Sequence, residues 1–199
     1  MNREDVPEIT GPSDSELIQA FQKGDDSVFE TLVKRYEARL FNTVLGLVRN
    51  HHEAEDLFQE VLVKIYKKLK DFRGDSKFFT WLYRVSVNTT WDHLRKKQRR
   101  PAFSLEKAIE EKRISPMVLK SKDQGPYNRA DNEERLSLLK EVLESLKPKH
   151  RIILQLKEVD GCSYQEIAEI LKCSIGTVES RLFRARAQMK KQLEPLLNR

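Results

Sequence analysis

Apolar residues recur at spacings of three and four along most of this chain, and no stretch alternates convincingly like a strand. The pattern predicts an all-α protein. Residues 1–12 form a polar lead without a stripe and read as disordered. Ser13 or Asp14 then caps a helix that carries Leu17, Ile18 and Phe21, with Glu16 suited to its positive end. The period breaks at Gly24, Asp25 and Asp26 and resumes from Ser27 to about Arg49. Beyond a joint at Asn50, His51 and His52, a helix from Glu53 to Asp71 has Leu57, Val61, Ile65 and Leu69 as its buried stripe. Arg73, Gly74 and Asp75 make a loop, and Ser76 caps a long helix ending in a basic run before Pro101.

From Pro101 to Asp131 three prolines, Gly125 and mixed charges leave no sustained stripe, which predicts a flexible linker (101–131). It divides the chain into two small helical domains, 13–100 and 132–199. In the second, Leu136, Leu139, Val142, Leu143 and Leu146 resume helical spacing, and a further helix runs from Lys149 to Val159, stopped by Asp160 and Gly161. The sharpest signal follows. Ile167, Ala168 and Leu171 stripe a short helix, and Ser174 can cap a second whose Ile175, Val178, Leu182, Ala185 and Met189 share one face. The other face carries Thr177, Ser180, Phe183 and Arg184, flanked by Arg181 and Arg186. This is the layout of a helix-turn-helix whose second helix enters the major groove. Lys172 stands where a turn glycine is often found.

Composition changes the picture little but agrees with it. Among 199 residues, 37 Lys and Arg against 31 Asp and Glu give a net charge of +6. The excess is concentrated at 95–100 and 181–191, the electrostatic footprint of phosphate binding. The two cysteines, Cys162 and Cys173, belong to no metal-ligand cluster and read as small apolar packing residues in a reducing compartment. The N-terminus has no apolar core like that of a signal peptide, and no apolar run is long enough to span a bilayer, so a cytoplasmic protein is expected. No His, metal or phosphate-loop constellation accompanies the carboxylates, which argues against an enzyme and predicts no cofactor.

The run from Phe72 to Asn88, preceded by 54–60, resembles region 2 of the extracytoplasmic-function sigma factors, closest in wording to the RpoE-like branch. Residues 160–168 followed by 175–186 are similar to region 4.2 of the same family. The resemblance implies an alternative sigma factor that binds core RNA polymerase, through the β′ clamp helices and the β subunit. It implies docking through Asp56, Gln59 and Glu60, and restraint by an anti-sigma factor. Promoter DNA is expected as duplex at the minus-35 element and single-stranded at the minus-ten element. At minus-35, Ser180, Phe183 and Arg184 would face bases, while Tyr164, Thr177, Arg181 and Arg186 contact phosphates. At minus-ten, Phe72, Arg73, Gly74, Asp75 and Ser76 would surround a flipped base and Asn88 would bond a base edge. Asn88, Asp92 and Lys96 recur on one helix face, and Arg95, Lys96 and Lys97 would bind phosphates. Glu179 departs from the arginine or lysine common there. It cannot bind phosphate or guanine but can accept from cytosine. A dimeric operator-binding regulator would explain the C-terminal motif alone, and a nucleic-acid-processing enzyme would lack its catalytic groups.

Overall fold

The computed structural model describes residues 11–99, 142–143 and 145–197, all in helices, turns and loops; the lead before Gly11 and the linker expected from Pro101 to Asp131 lie outside them. The first bundle comprises α1 (Asp14–Gln22), α2 (Val28–Lys34), α3 (Glu37–Val48), α4 (His51–Leu69) and α5 (Phe78–Arg99). Ser13 is the cap of α1. Its hydroxyl accepts from the Glu16 N–H, and the Glu16 carboxylate accepts from the Ser13 N–H at 2.6 Å. Asp14 is left to bind elsewhere, taking the Arg35 guanidinium at 2.6 Å and the Tyr36 hydroxyl. Those two residues are also where the single helix expected from Ser27 to Arg49 breaks into α2 and α3. Both side chains reach back to α1, so the backbone yields there although the apolar period runs on.

The α4 stripe of Leu57, Val61, Ile65 and Leu69 is buried as predicted, with Asn50 capping the helix through the Glu53 N–H at 2.8 Å. Ser76, however, does not cap α5. The helix begins at Phe78, and the Lys77 carbonyl accepts from the Trp81 N–H. The Phe78 ring sets that start, lying 5.6 Å from Phe72, 5.7 Å from Tyr36 and 5.8 Å from Trp81. Ser76 Oγ is buried without a hydrogen-bond partner among the described residues.

The second bundle comprises α6 (Pro148–Leu154), a π-helical turn over Gln155–Val159, α7 (Tyr164–Leu171) and α8 (Ile175–Leu197). The π turn replaces the end of the helix expected up to Val159. The Asp160 N–H bonds back to the Gln155 carbonyl, five residues away, at 3.0 Å. Val142, Leu146, Ile152, Ile153, Leu156, Ile167, Ile170, Val178, Leu182 and Ala185 are buried.

The bundles are in contact. α5 packs on α7 and α3 on α6, and the buried side chains of both halves join in one apolar cluster. The interface carries a hydrogen bond from the Tyr83 hydroxyl to Asp160 Oδ1 at 3.0 Å and one from Gln155 Nε2 to Thr43 Oγ1 at 3.2 Å. Lys77 and Glu166 form an ion pair at 2.9 Å.

Candidate nucleic-acid interface

Local chemistry at both ends of α7 fixes the helix pair. Ser163 and Glu166 form a second capping box, with the Ser163 N–H donating to Glu166 at 2.8 Å. At the other end Lys172 takes a left-handed backbone, φ 49°, which lets the Cys173 N–H close on the Ala168 carbonyl at 3.0 Å. A lysine there costs about 1 kcal/mol relative to glycine. Ser174 then starts α8, accepting from the Thr177 N–H at 3.2 Å.

Of the predicted inner face of α8, Val178, Leu182 and Ala185 are buried and Met189 is half-buried, but Ile175 is exposed at the first turn. On the free side Ser180, Phe183 and Arg184 are all exposed, Thr177 and Arg181 are half-buried, and Phe183 shows 76% of its surface. A phenylalanine this bare has no packing role among the described residues. Arg186 is held from two nitrogens by Glu158 Oε1, at 3.1 and 2.6 Å. Beside it the Lys157 ammonium sits 5.2 Å over the Tyr164 ring and donates to the Cys162 carbonyl. Lys157 and Glu158 thus hold two of the predicted phosphate contacts, Tyr164 and Arg186. Sequence reasoning passed over them because they lie in the preceding π turn, outside the motif. Cys162 is buried, and burial together with the nearby Asp160 pushes its thiol up to about 12. It stays a neutral packing group.

The candidate minus-ten residues lie in the loop before α5 and along that helix from its middle to its end. Phe72 is half-buried, its ring 5.6 Å from Phe78 and 5.2 Å from Trp81, while Arg73, Gly74 and Asp75 are exposed. Gly74 has φ 78°, which favours glycine in this tight loop. Asn88 is half-buried and its amide has no hydrogen-bond partner among the described residues. Asp92 pairs with Arg95 at 3.2 Å, Lys96 is exposed, and Lys97 reaches Glu53 at 3.0 Å. Glu53 also holds His93 at 2.7 Å, tying the start of α4 to the end of α5.

Asp56, Gln59 and Glu60 are exposed on α4, opposite its buried stripe. Val63, 51% exposed, stands one turn beyond Gln59 and Glu60 and adds an apolar centre that the polar pattern hid.

A helical bundle whose long basic helix borders an exposed polar loop, packed on a helix-turn-helix with a bare basic and aromatic reading face, defines a transcription factor of the DNA-binding, all-helical class. Residues 32–100 match the family model for sigma-70 region 2 and residues 136–189 that for sigma-70 region 4. The chain is 38% identical over 187 residues to the ECF RNA polymerase sigma-E factor of Escherichia coli K12, covering 94% of this chain and 97% of that one. It is 35% identical over 189 residues to the RNA polymerase sigma-H factor of Pseudomonas aeruginosa, covering 95% and 98%. Among solved structures it resembles the sigma factor RpoE in complex with the anti-sigma factor NepR from Bartonella quintana. That match has a TM-score of 0.64 at 25% identity, over 83% of this chain and 96% of that one. CnrH in complex with the cytosolic domain of CnrY shares the fold, with a TM-score of 0.63 at 24% identity over 92% and 97%. The chain therefore belongs to the sigma-70 family, in its extracytoplasmic-function branch. It is an alternative sigma factor, a transcription-initiation protein rather than an enzyme. None of the described helices is long and apolar enough to cross a membrane.

Proposed function

We propose that this sigma factor brings core RNA polymerase to a two-part promoter, reading duplex minus-35 DNA with α8 and holding melted minus-ten DNA at α5. The observation that carries this reading is the bare face of α8. Phe183 is 76% exposed between Ser180 and Arg184, while Val178, Leu182 and Ala185 anchor the opposite side. Arg184 has the fork that pairs with guanine, Phe183 suits a thymine methyl, and Tyr164, Thr177, Arg181 and Arg186 lie where phosphates would fix register. Glu179 is exposed on the same helix, with no cation one turn before or after it, at positions 175, 176, 182 and 183. A carboxylate repels phosphate and accepts from an amino donor, so Glu179 suits cytosine N4 at one minus-35 position.

At minus-ten, the exposed Arg73, Gly74 and Asp75, the unpartnered Ser76 hydroxyl and the unpartnered Asn88 amide supply polar groups for an extruded base. Arg95, Lys96 and Lys97 continue the positive path beyond Asp92. Asp56, Gln59, Glu60 and Val63 make the α4 face that docks on the clamp helices of β′, the β subunit taking up other parts of the factor. An anti-sigma factor restrains it, as the relatives solved with NepR and CnrY suggest.

Transcription reconstituted from purified core polymerase and this chain tests the whole reading. Selection of promoters from a genomic library should return a two-part consensus with a cytosine at one minus-35 position, and Glu179→Ala should lose that cytosine alone. A factor that binds duplex operators without polymerase, and starts no transcript with it, would overturn the proposal.

A further inference from the structure

One polar side chain of α1 reaches across the first bundle to the segment that opens the candidate minus-ten loop. Gln22 is the last residue of α1. Its side-chain amide donates to the Leu69 carbonyl at 3.1 Å and to the Phe72 carbonyl at 2.8 Å, with the Lys70 carbonyl beside them at 3.4 Å. The first and last of these belong to the end of α4, where carbonyls look outside the helix for donors. The Phe72 carbonyl lies beyond the helix and takes the shortest bond, so the amide does more than cap α4. Its own place is fixed from behind. The adjacent Phe21 is buried, its ring 5.2 Å edge-on from Tyr66 of α4 and 5.7 Å from Phe29 of α2.

The loop that follows has little else to shape it. Among the described residues no hydrogen bond holds the backbone of Arg73, Gly74, Asp75 or Ser76. At its entrance the Phe72 ring rests between Phe78 and Trp81, but a seated ring leaves the next peptide plane free to turn. The direction of the Phe72 carbonyl sets that plane, and Gln22 sets the carbonyl. We propose that Gln22 is a positioning residue for minus-ten capture: it fixes the course on which residues 73–76 leave α4, so an extruded base meets a loop already in shape. A loop ordered only on binding loses conformational entropy at that moment and gives up affinity. This inference rests on the promoter reading above.

Holoenzyme assembled with the full chain tests it. The probe is a single-stranded oligonucleotide carrying the minus-ten consensus returned by promoter selection. Gln22→Ala removes the donor, Gln22→Glu keeps the shape but turns a carboxylate towards three carbonyl oxygens, and Gln22→Lys supplies a donor again. Oligonucleotide affinity should fall about three- to tenfold in Gln22→Ala, the range of one lost hydrogen bond, and further in Gln22→Glu. Gln22→Lys should recover most of the loss. Core affinity and minus-35 preference should keep their wild-type values in all three. Charge at the end of α1 also acts on helix stability, so affinities are compared at a temperature where circular dichroism shows every variant folded. In the free chain, trypsin should cut after the exposed Arg73 faster in the Ala and Glu variants. Wild-type oligonucleotide affinity in folded Gln22→Glu would overturn the proposal. So would equal losses of minus-ten, minus-35 and core binding in Gln22→Ala, which would make Gln22 a residue of the fold alone. Failure of the promoter reading shows separately, since the wild-type holoenzyme would then prefer no minus-ten strand whatever stands at position 22.

Discussion

Arg181 and Arg184 sit three residues apart on α8, yet one is half-buried beside the hydrophobic face and the other stands free next to Phe183. The same guanidinium should therefore do two jobs. Arg184→Ala is expected to cost about 1–3 kcal/mol at a single minus-35 base pair and to relax preference there. Arg181→Ala should weaken binding to all sequences alike and reduce the salt slope by about one unit. Titrations of holoenzyme against minus-35 variants at several salt concentrations separate them. Equal, sequence-blind losses would make Arg184 a phosphate contact.

At the scale of elements, the turn between α7 and α8 and the outer face of α4 show how local chemistry serves a surface. Lys172 occupies a left-handed position that glycine takes without strain. Lys172→Gly should thus stabilise the chain by up to about 1 kcal/mol, raising the melting temperature by a few degrees without moving the reading face. A lower melting temperature would show that the lysine stem packs against something worth more than the strain. On α4, Asp56→Lys with Glu60→Lys reverses two exposed charges opposite a buried stripe. Helical content should hold while affinity for core polymerase drops at least tenfold. Undiminished affinity in the folded double variant would remove this face from the docking assignment.

Across the whole molecule, Asp160 links the packing of the halves to pH. Burial pushes its carboxyl up to about 6, outweighing the Tyr83 hydroxyl from α5 and the Arg39 charge from α3, which both favour the ionised form. Tyr83 and Cys162, the neighbouring titratable groups, are themselves held neutral by burial. In the unfolded chain the carboxyl titrates near about 3.9, so the folded form binds the proton more tightly. The stability this carboxyl contributes is fully present below about pH 4 and is lost as pH rises through 6, by at most tenfold in the folding constant per unit. The melting temperature should fall between about pH 4 and 6.5, and Asp160→Asn should flatten the profile. An Asp160→Asn variant with the wild-type profile would place the titration elsewhere.

Much of this protein was legible before any coordinates. Period-3.6 stripes follow from burying one helix face, so Leu57, Val61, Ile65 and Leu69, or Val178, Leu182 and Ala185, announced their elements and inner faces. Caps are local, so Ser13 and Ser174 act within three residues of where they stand. The exposed reading face of α8 followed as the complement of its buried one. What depends on distant partners was not legible. Asp14 drawing Arg35 and Tyr36 across α1 broke a helix whose apolar period continues, and the aromatic contacts of Phe78 delayed the start of α5 past Ser76. The meeting of Tyr83 with Asp160, 77 residues apart, and of Thr43 with Gln155, 112 apart, left no periodic trace. Periodicity reports which face of a helix is buried, whereas which other helix buries it depends on shape and charge matching between surfaces far apart in the chain. Tertiary structure alone decided that the two halves rest against each other.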